Sequence, residues 1–427
     1  MSLGKSLKPE SGKMKMTYLI GALAGGNVVA TSIKMVSGIL TARLVEPAVL
    51  GLFNGIGLVM GYVPFFQLGI SNGLNRELPY HIGKNDTERA RELAAAAQSW
   101  MIIIGIITAV ALLVLTGLKL IRGELWSAAG WGTHVILVFL YFYGTCYLQT
   151  TYRTSHDFAK LALINVIQAI VALLLLVLVW MMSFYGLCLR GILSIVITTT
   201  LLYWWRPLRV GPLWNLRHLK HLFIVGAPIF AVGQIYAWWT VINQTLVLYY
   251  TGTHGMGLYT MVTMTTSTIA LLPQAMVEVT YPRMAERYGA GGNIDDMFRM
   301  ALKPMLLCAL GMIPLVAAAW WLVEPLVRIV VPKYVEAVPA MKWSLIQPIV
   351  MCFAPLNNIF NVMGKQGLFF IAILIGMCSY GGSLLWLFSH GLYLAAFPQA
   401  MLIGYTALVV ICYIFLFNMK KKDSLLR

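Results

Sequence analysis

The sequence predicts an all-α integral membrane protein with about twelve transmembrane helices. Of its 427 residues, 59% are hydrophobic and only 11% are charged, whereas a soluble domain carries about 25% charged residues. Long apolar segments recur from Thr17 to Asn418, and several exceed the ~20 residues that a helix needs to cross the hydrocarbon core. Because backbone polar groups must be satisfied internally in lipid, we expect these segments to be helices.

Charged breaks divide the apolar sequence into twelve predicted spans. Their approximate ranges are 17–42, 48–74, 93–118, 131–152, 159–182, 185–205, 222–250, 256–281, 301–323, 338–363, 367–389 and 393–418. The predicted domains are a basic tail at 1–16, a lobe of six helices at 17–205, a linker at 206–221, a second six-helix lobe at 222–418 and a basic tail at 419–427.

The basic residues predict the orientation of these spans. If the N-terminus is cytoplasmic, most of the 31 lysines and arginines fall in cytoplasmic segments, as the positive-inside rule requires. We therefore predict that both termini are cytoplasmic, and that the net charge of +16 reflects topology rather than nucleic-acid binding. No GxxxxGK[ST] loop and no metal-ligand spacing occurs in the sequence, so we expect neither a cofactor nor a metal.

An internal repeat relates the two halves. Gly51-Leu52-Phe53 opens a predicted helix that ends at Arg76, and Gly257-Leu258-Tyr259 opens one that ends at Arg283. A charged loop follows each helix, and both helices run from outside to inside. Such parallel repeats predict two lobes related by a pseudo-two-fold axis along the membrane normal, around a central cavity.

The same residues resemble a known family. The segment from Leu40 to Phe53 is similar to the ARLLGPxxxG segment that joins the first two helices of polysaccharide flippases, although Glu46 stands where glycine is common. The stretch from Gly257 through Pro273 to Arg283 resembles their eighth helix. The chain thus resembles the polysaccharide transporter family of the multidrug/oligosaccharidyl-lipid/polysaccharide (MOP) superfamily, and in particular Wzx-type oligosaccharide-lipid flippases.

The resemblance implies a fold, a cargo and partners. It implies a V-shaped pair of lobes that alternate between inward-facing and outward-facing states in a bacterial cytoplasmic membrane. The implied cargo is an undecaprenyl-diphosphate-linked oligosaccharide for cell-surface polysaccharide such as O-antigen. Its sugar would cross in the cavity and its tail in the membrane lipids. Polysaccharide polymerase and chain-length machinery are the implied protein partners.

Basic residues within spans are the first candidate binding groups. Lys34 lies in the first span, on one polar helix face with Asn27, Thr31, Gly38 and Thr41. It either lines a watery cavity or snorkels to the interface. Lys342, with only Glu336 as a nearby acid in the sequence, leaves the same two readings open. Arg190 is interpreted as interfacial.

Two arginines end the repeated helices. Arg76 and Arg283 suit diphosphate capture, because a guanidinium offers a bidentate fork to phosphate oxygens. Ordinary positive-inside charge explains each of them as well.

The remaining candidates are polar and aromatic. Gln234, Trp238 and Asn243 of the seventh span suit sugar stacking and hydroxyl bonding, or helix packing. On the eighth span, Gln274 shares one face with Glu278. Glu278 either carries a coupling ion or is held by Arg283.

Three functions compete. A flippase for an anionic lipid-linked oligosaccharide suits a cationic cavity. A drug or cation antiporter of the same superfamily, like the MATE transporters, should place acids in its spans, and these spans hold almost none. A membrane-embedded polysaccharide polymerase or glycosyltransferase should have extended outer loops, and these are short. The sequence therefore predicts a transporter rather than an enzyme.

Overall fold

The computed structural model describes residues 13–155, 157–291, 293–391 and 393–425. Within these ranges, the side chains at 13–25, 27, 229, 232, 278, 279, 282, 285 and 422–425 are not described. All regular secondary structure in the described ranges is helical. The predicted all-α membrane class is confirmed.

Within the described residues, the first half of the chain forms ten α-helices. They are α1 Lys13–Leu44, α2 Pro47–Gly57, α3 Val59–Tyr62, α4 Ile70–Gly83, α5 Thr87–Ile121, α6 Leu125–Leu140, α7 Gln149–Thr154, α8 Phe158–Leu174, α9 Leu176–Met182 and α10 Phe184–Trp204. A 3-10 segment, Val63–Gln67, follows α3, and a π-helical segment, Tyr141–Leu148, joins α6 to α7.

Eight further α-helices follow in the described part of the second half. They are α11 Leu216–Ile269, α12 Leu271–Gly289, α13 Ile294–Val330, α14 Val338–Ser344, α15 Gln347–Met351, α16 Pro355–Val362, α17 Gln366–Ser389 and α18 Tyr393–Leu425. A 3-10 segment, Pro332–Ala337, precedes α14. Polar caps begin the long helices after the charged loops: Asp86 accepts the backbone N–H of Arg89, and Asn293 and Asp296 form a capping box.

Within the described residues, eight helical stretches are long and apolar enough to cross a membrane. The number rises to ten if each of two bent helix pairs is counted as one span. No more than 39% of the most apolar window of any of the eight is buried, so most of their apolar surface faces outward, as lipid contact requires. The seventh predicted span lies on α11, where Gly252 (φ 65°, ψ −168°) breaks the helix after it. The eighth predicted span begins on α11 and continues into α12.

The chain folds into two compact units. Within the described residues, unit 1 comprises 13–45 and 52–241, and unit 2 comprises 46–51 and 242–425. The division falls inside α11 rather than in the predicted linker at 206–221. The first turns of α11 join unit 1 because a Cβ on Gly226 would lie 2.0 Å from the carbonyl oxygen of Gly69, so the two backbones are in direct contact. The pseudo-two-fold axis that the sequence predicts between the two lobes stays a prediction.

Unit 2 brings together the two glycines of the predicted repeat. A Cβ on Gly51 would lie 1.7 Å from the carbonyl oxygen of Thr253, and one on Gly257 would lie 1.8 Å from that of Pro47. Only glycine permits so close a backbone approach. The segment Glu46–Gly51 is further fixed by an ion pair of 2.6 Å between Glu46 and Lys333.

Candidate functional site

The site begins at Lys34, whose ammonium is set within α1. Its Nζ donates a hydrogen bond of 3.2 Å to Oε1 of Gln168 on α8. The Lys34 side chain is exposed. Among the described residues, no carboxylate is paired with Lys34. A neutral amide therefore orients the ammonium without compensating its charge.

Arg190 of α10 supplies a second cation to the same region. Its Nε donates to the carbonyl oxygen of Ala172 at 2.9 Å, and its two terminal nitrogens donate to Thr41 Oγ1 at 2.9 Å and Ser37 Oγ at 2.7 Å. The guanidinium is part-buried between α1, α8 and α10. The interpretation of Arg190 as interfacial did not foresee these inter-helical bonds. The guanidinium has five N–H donors, so it can still bind an anion.

These residues form one network, which we call the cationic cluster: Lys34, Ser37, Thr41, Gln168 and Arg190. Ser37 lies one turn after Lys34 on α1, and Ala172 lies one turn after Gln168 on α8. Ser37 Oγ also donates to the carbonyl oxygen of Ala172 at 3.4 Å. The predicted polar face of α1 thus continues from the exposed Lys34 to the buried Ser37 and Thr41.

The cationic cluster carries uncompensated positive charge. All the partners of its two cations are neutral oxygens within the described part of the chain. Charged groups within a membrane helix are costly and normally face a partner or a watery cavity. The arrangement is therefore suited to an anion, which would supply the missing charge.

Lys342 is paired, which corrects the view that Glu336 is its only nearby acid. Its Nζ lies 2.9 Å from Oε2 of Glu324 on α13, and Glu324 also pairs with Arg328 at 2.9 Å. Glu336 lies 3.3 Å from His254 instead. The Lys342 charge is thus already compensated by a carboxylate, which weakens its prediction as a cargo-binding group.

The predicted sugar-binding surface of the seventh span is divided between the units. Gln234 and Trp238 lie in unit 1, where the Trp238 ring centroid is 5.1 Å from that of Phe65. Asn243 lies in unit 2 and is only 2% exposed. Its amide donates to Tyr259 at 2.7 Å and its oxygen accepts from Tyr380 at 2.9 Å.

Asn243 therefore belongs to a packed core network, and its prediction as a sugar-binding residue is not supported. The physical reason is the helix period. Gln234 and Trp238 are four positions apart and share one face of the helix. Asn243 lies five positions after Trp238, so at 3.6 residues per turn its side chain points towards the opposite side.

The other predicted site residues are less informative. Arg76 on α4 and Arg283 on α12 are exposed and lie in different units. Gln274 on α12 is also exposed. The side chains of Asn27 and Glu278 lie outside the described residues. The roles predicted for these five residues stay predictions. In the described part of the chain, no group of three histidine, cysteine or acidic side chains could hold a metal ion.

Solved structures with this fold are transporters. The chain is 16% identical to a multidrug resistance MATE family transporter of the MOP superfamily in its inward-facing conformation, with a TM-score of 0.75 over 92% of this chain and 95% of that one. An outward-facing MATE family transporter of the same superfamily matches with a TM-score of 0.67 at 16% identity, over 95% of this chain and 96% of that one. A MOP superfamily transporter from Pyrococcus furiosus matches with a TM-score of 0.65 at 16% identity, over 95% of each chain. A search of curated proteins found no match.

The chain therefore has the fold of the MOP-superfamily transporters. The chain belongs to the family described as "Polysaccharide biosynthesis protein", whose model matches residues 40–339.

Proposed function

We propose that the protein flips a diphosphate-linked oligosaccharide on a polyprenyl lipid, such as undecaprenyl, across a bacterial cytoplasmic membrane. The single observation that carries this proposal is the cationic cluster. Lys34 and Arg190 place two positive charges among membrane helices with only neutral partners in the described residues. A diphosphate supplies the opposite charge, and its oxygens accept the bidentate bonds that a guanidinium offers.

The comparisons support the same class of cargo. The family described as polysaccharide biosynthesis proteins points to a saccharide, and the fold is one of transporters. In the Pyrococcus furiosus transporter, the reversed polarity of the binding pocket suggests a different function for that protein. The sign of the charge in this chain's cationic cluster favours anionic cargo on the same reasoning.

The remaining parts of the proposal follow from the predicted topology and the resemblance. Both termini are cytoplasmic, transport proceeds by alternating access, and the exported saccharide passes to polysaccharide polymerase and chain-length machinery. Arg76 and Arg283 are the candidate capture groups at the cytoplasmic face.

Charge substitutions at Lys34 test the proposal. In a flippase-deficient strain, Lys34→Ala should reduce surface polysaccharide about tenfold or more, because a charge-assisted bond contributes ~1.5–3 kcal/mol. Lys34→Arg should retain part of the activity, and Lys34→Glu should abolish it through repulsion. Surface polysaccharide is measured at matched membrane levels of each variant.

Lys303 provides the matched control, because it is an exposed lysine on α13. Lys303→Glu should leave surface polysaccharide unchanged. Normal polysaccharide from the Lys34→Glu protein would rule out anionic cargo at this site. Export of cationic drugs by that variant would instead favour the antiporter.

A further inference from the structure

A polar cavity lies in unit 1, away from the cationic cluster. It measures about 400 Å³ and is lined by residues of α5, the π-helical segment, the end of α10 and the segment that follows α10. Its polar lining comprises Gln98, Tyr143, Tyr147, Tyr203, Arg206 and Arg209. Tyr203 lies thirteen positions after Arg190 on α10, which corresponds to roughly 20 Å along the helix. The cavity is therefore a separate site.

Two buried polar atoms of this cavity lack a partner. Gln98 is 7% exposed and Tyr147 is 2% exposed. Gln98 Oε1 and the Tyr147 hydroxyl have no hydrogen-bond partner in the described structure. Buried polar groups are nearly always paired, so each exception requires an explanation. Both atoms are closed off from solvent, and a rotation of either side chain towards the cavity would let a ligand hydroxyl pair with it.

The charge at the cavity is positive. The Arg206 guanidinium lies 3.7 Å from the Tyr203 ring centroid, and one of its nitrogens donates to the carbonyl oxygen of Tyr203 at 2.9 Å. Arg209 is exposed at the cavity, and no acidic residue lines it. The two guanidiniums are therefore available to an anionic group, for which phosphate has the matching geometry.

The cavity walls are held in place from both sides. The π-helical segment Tyr141–Leu148 brings the rings of Tyr143 and Tyr147 to a stacked pair with centroids 6.0 Å apart. π-helical turns are rare and often mark functional sites. The segment after α10 is tied to α5, because Leu213 donates its N–H to the carbonyl oxygen of Ala95 at 3.2 Å and accepts from Ser99 Oγ at 3.2 Å.

We propose that this cavity binds a phosphorylated sugar. The phosphate contacts Arg206 and Arg209, sugar hydroxyls contact Gln98 Oε1 and the Tyr147 hydroxyl, and an apolar sugar face packs on the tyrosine rings. The volume of 400 Å³ lies within the ~300–1,000 Å³ of small-molecule pockets. The ligand is either the head of a lipid-linked saccharide or a water-soluble sugar phosphate. The proposal does not rest on the flipping of any cargo.

Calorimetric titration of the full chain in lipid nanodiscs tests the site and its source of ligand. The ligands are glucose 1-phosphate, UDP-N-acetylglucosamine and a short polyprenyl-diphosphate N-acetylglucosamine, with glucose and inorganic phosphate as component controls. At least one phosphorylated sugar should bind more than tenfold more tightly than either component. Whichever of the lipid-linked and the soluble ligands binds more tightly identifies the source of the phosphorylated sugar. No binding, or binding of inorganic phosphate alone, would overturn the proposal.

Paired variants separate binding from stability. Tyr147→Phe removes a hydroxyl without a partner, so it should weaken binding about 5- to 10-fold without lowering the thermal midpoint of the unliganded protein. Tyr152→Phe is the matched control. Its hydroxyl donates to the carbonyl oxygen of Leu202 at 2.9 Å, so this variant should lower the midpoint and leave binding unchanged. The reverse pattern would contradict the site.

A second pair tests the charge. Arg209→Ala should weaken binding about tenfold, whereas Arg217→Ala, an exposed arginine of α11 outside the cavity lining, should not. Equal affinities for both variants would overturn the phosphate assignment. Lys34→Glu should not alter this binding, so the failure of the flipping proposal and the failure of this one are distinguishable.

Discussion

Arg190→Leu should reduce export of the lipid-linked saccharide at least tenfold while leaving the protein folded. The loss follows because the guanidinium is the cation of the cationic cluster with the geometry to bind a diphosphate, and a charged hydrogen bond contributes ~1.5–3 kcal/mol. The fold should tolerate the change. Thr41 Oγ1 retains its bond to the carbonyl oxygen of Ser37 at 2.7 Å, and Ser37 Oγ retains Ala172.

Surface polysaccharide and the thermal midpoint of the purified protein measure the two effects separately. Arg190→Lys should retain part of the export, since it keeps the charge and loses the bidentate fork. Arg122→Leu, at an exposed arginine that ends α5, is the control and should export normally. Wild-type export by Arg190→Leu would exclude Arg190 from cargo binding, and an unfolded protein would assign it a structural role.

Gly51→Ala and Gly257→Ala should each destabilise the protein by about 3 kcal/mol, the upper part of the usual range for overpacking. The added methyl would lie 1.7 Å from the carbonyl oxygen of Thr253 in the first variant and 1.8 Å from that of Pro47 in the second. Both obstacles are backbone atoms, so no side-chain rotation relieves the clash. The measurement is the thermal midpoint in detergent and the yield of folded protein.

Gly117→Ala and Gly311→Ala are matched controls. Both glycines lie inside helices, and a Cβ on either meets no atom within 4 Å. These substitutions should raise the midpoint slightly, because alanine favours the helix over glycine by ~1 kcal/mol. If Gly51→Ala and Gly257→Ala behave like these controls, the direct backbone contact between the two repeated segments does not exist.

Hydropathy was sufficient to predict the class of fold, because apolar runs of this length have one stable form in lipid. It also located the break at Gly252 between the seventh and eighth predicted spans. It did not predict the division of α11 between the units, which depends on the backbone contact of Gly226 with Gly69. Nor did it predict the π-helical segment Tyr141–Leu148, whose sequence is as apolar as an ordinary helix.

The sequence predicted one of the two cations of the candidate site. A lone charge in an apolar span identified Lys34, and a similar signal was available for Gln168, which is one of two amides, with Asn165, in the 159–182 span. The joining of Lys34 and Arg190 into one cluster requires the packing of α1, α8 and α10. Likewise, the ion pair between Glu324 on α13 and Lys342 on α14 joins two residues that are far apart in the sequence, so the sequence alone did not predict it.

Transbilayer movement in proteoliposomes tests the central claim most directly, namely that the cationic cluster serves anionic cargo. The purified protein is reconstituted with a fluorescent polyprenyl-diphosphate saccharide or with an uncharged lipid that carries the same saccharide. We expect the diphosphate lipid to cross at least tenfold faster than the uncharged lipid, and this preference to disappear in Arg190→Leu. Equal rates for the two lipids, or transport of cationic dyes in their place, would contradict the account.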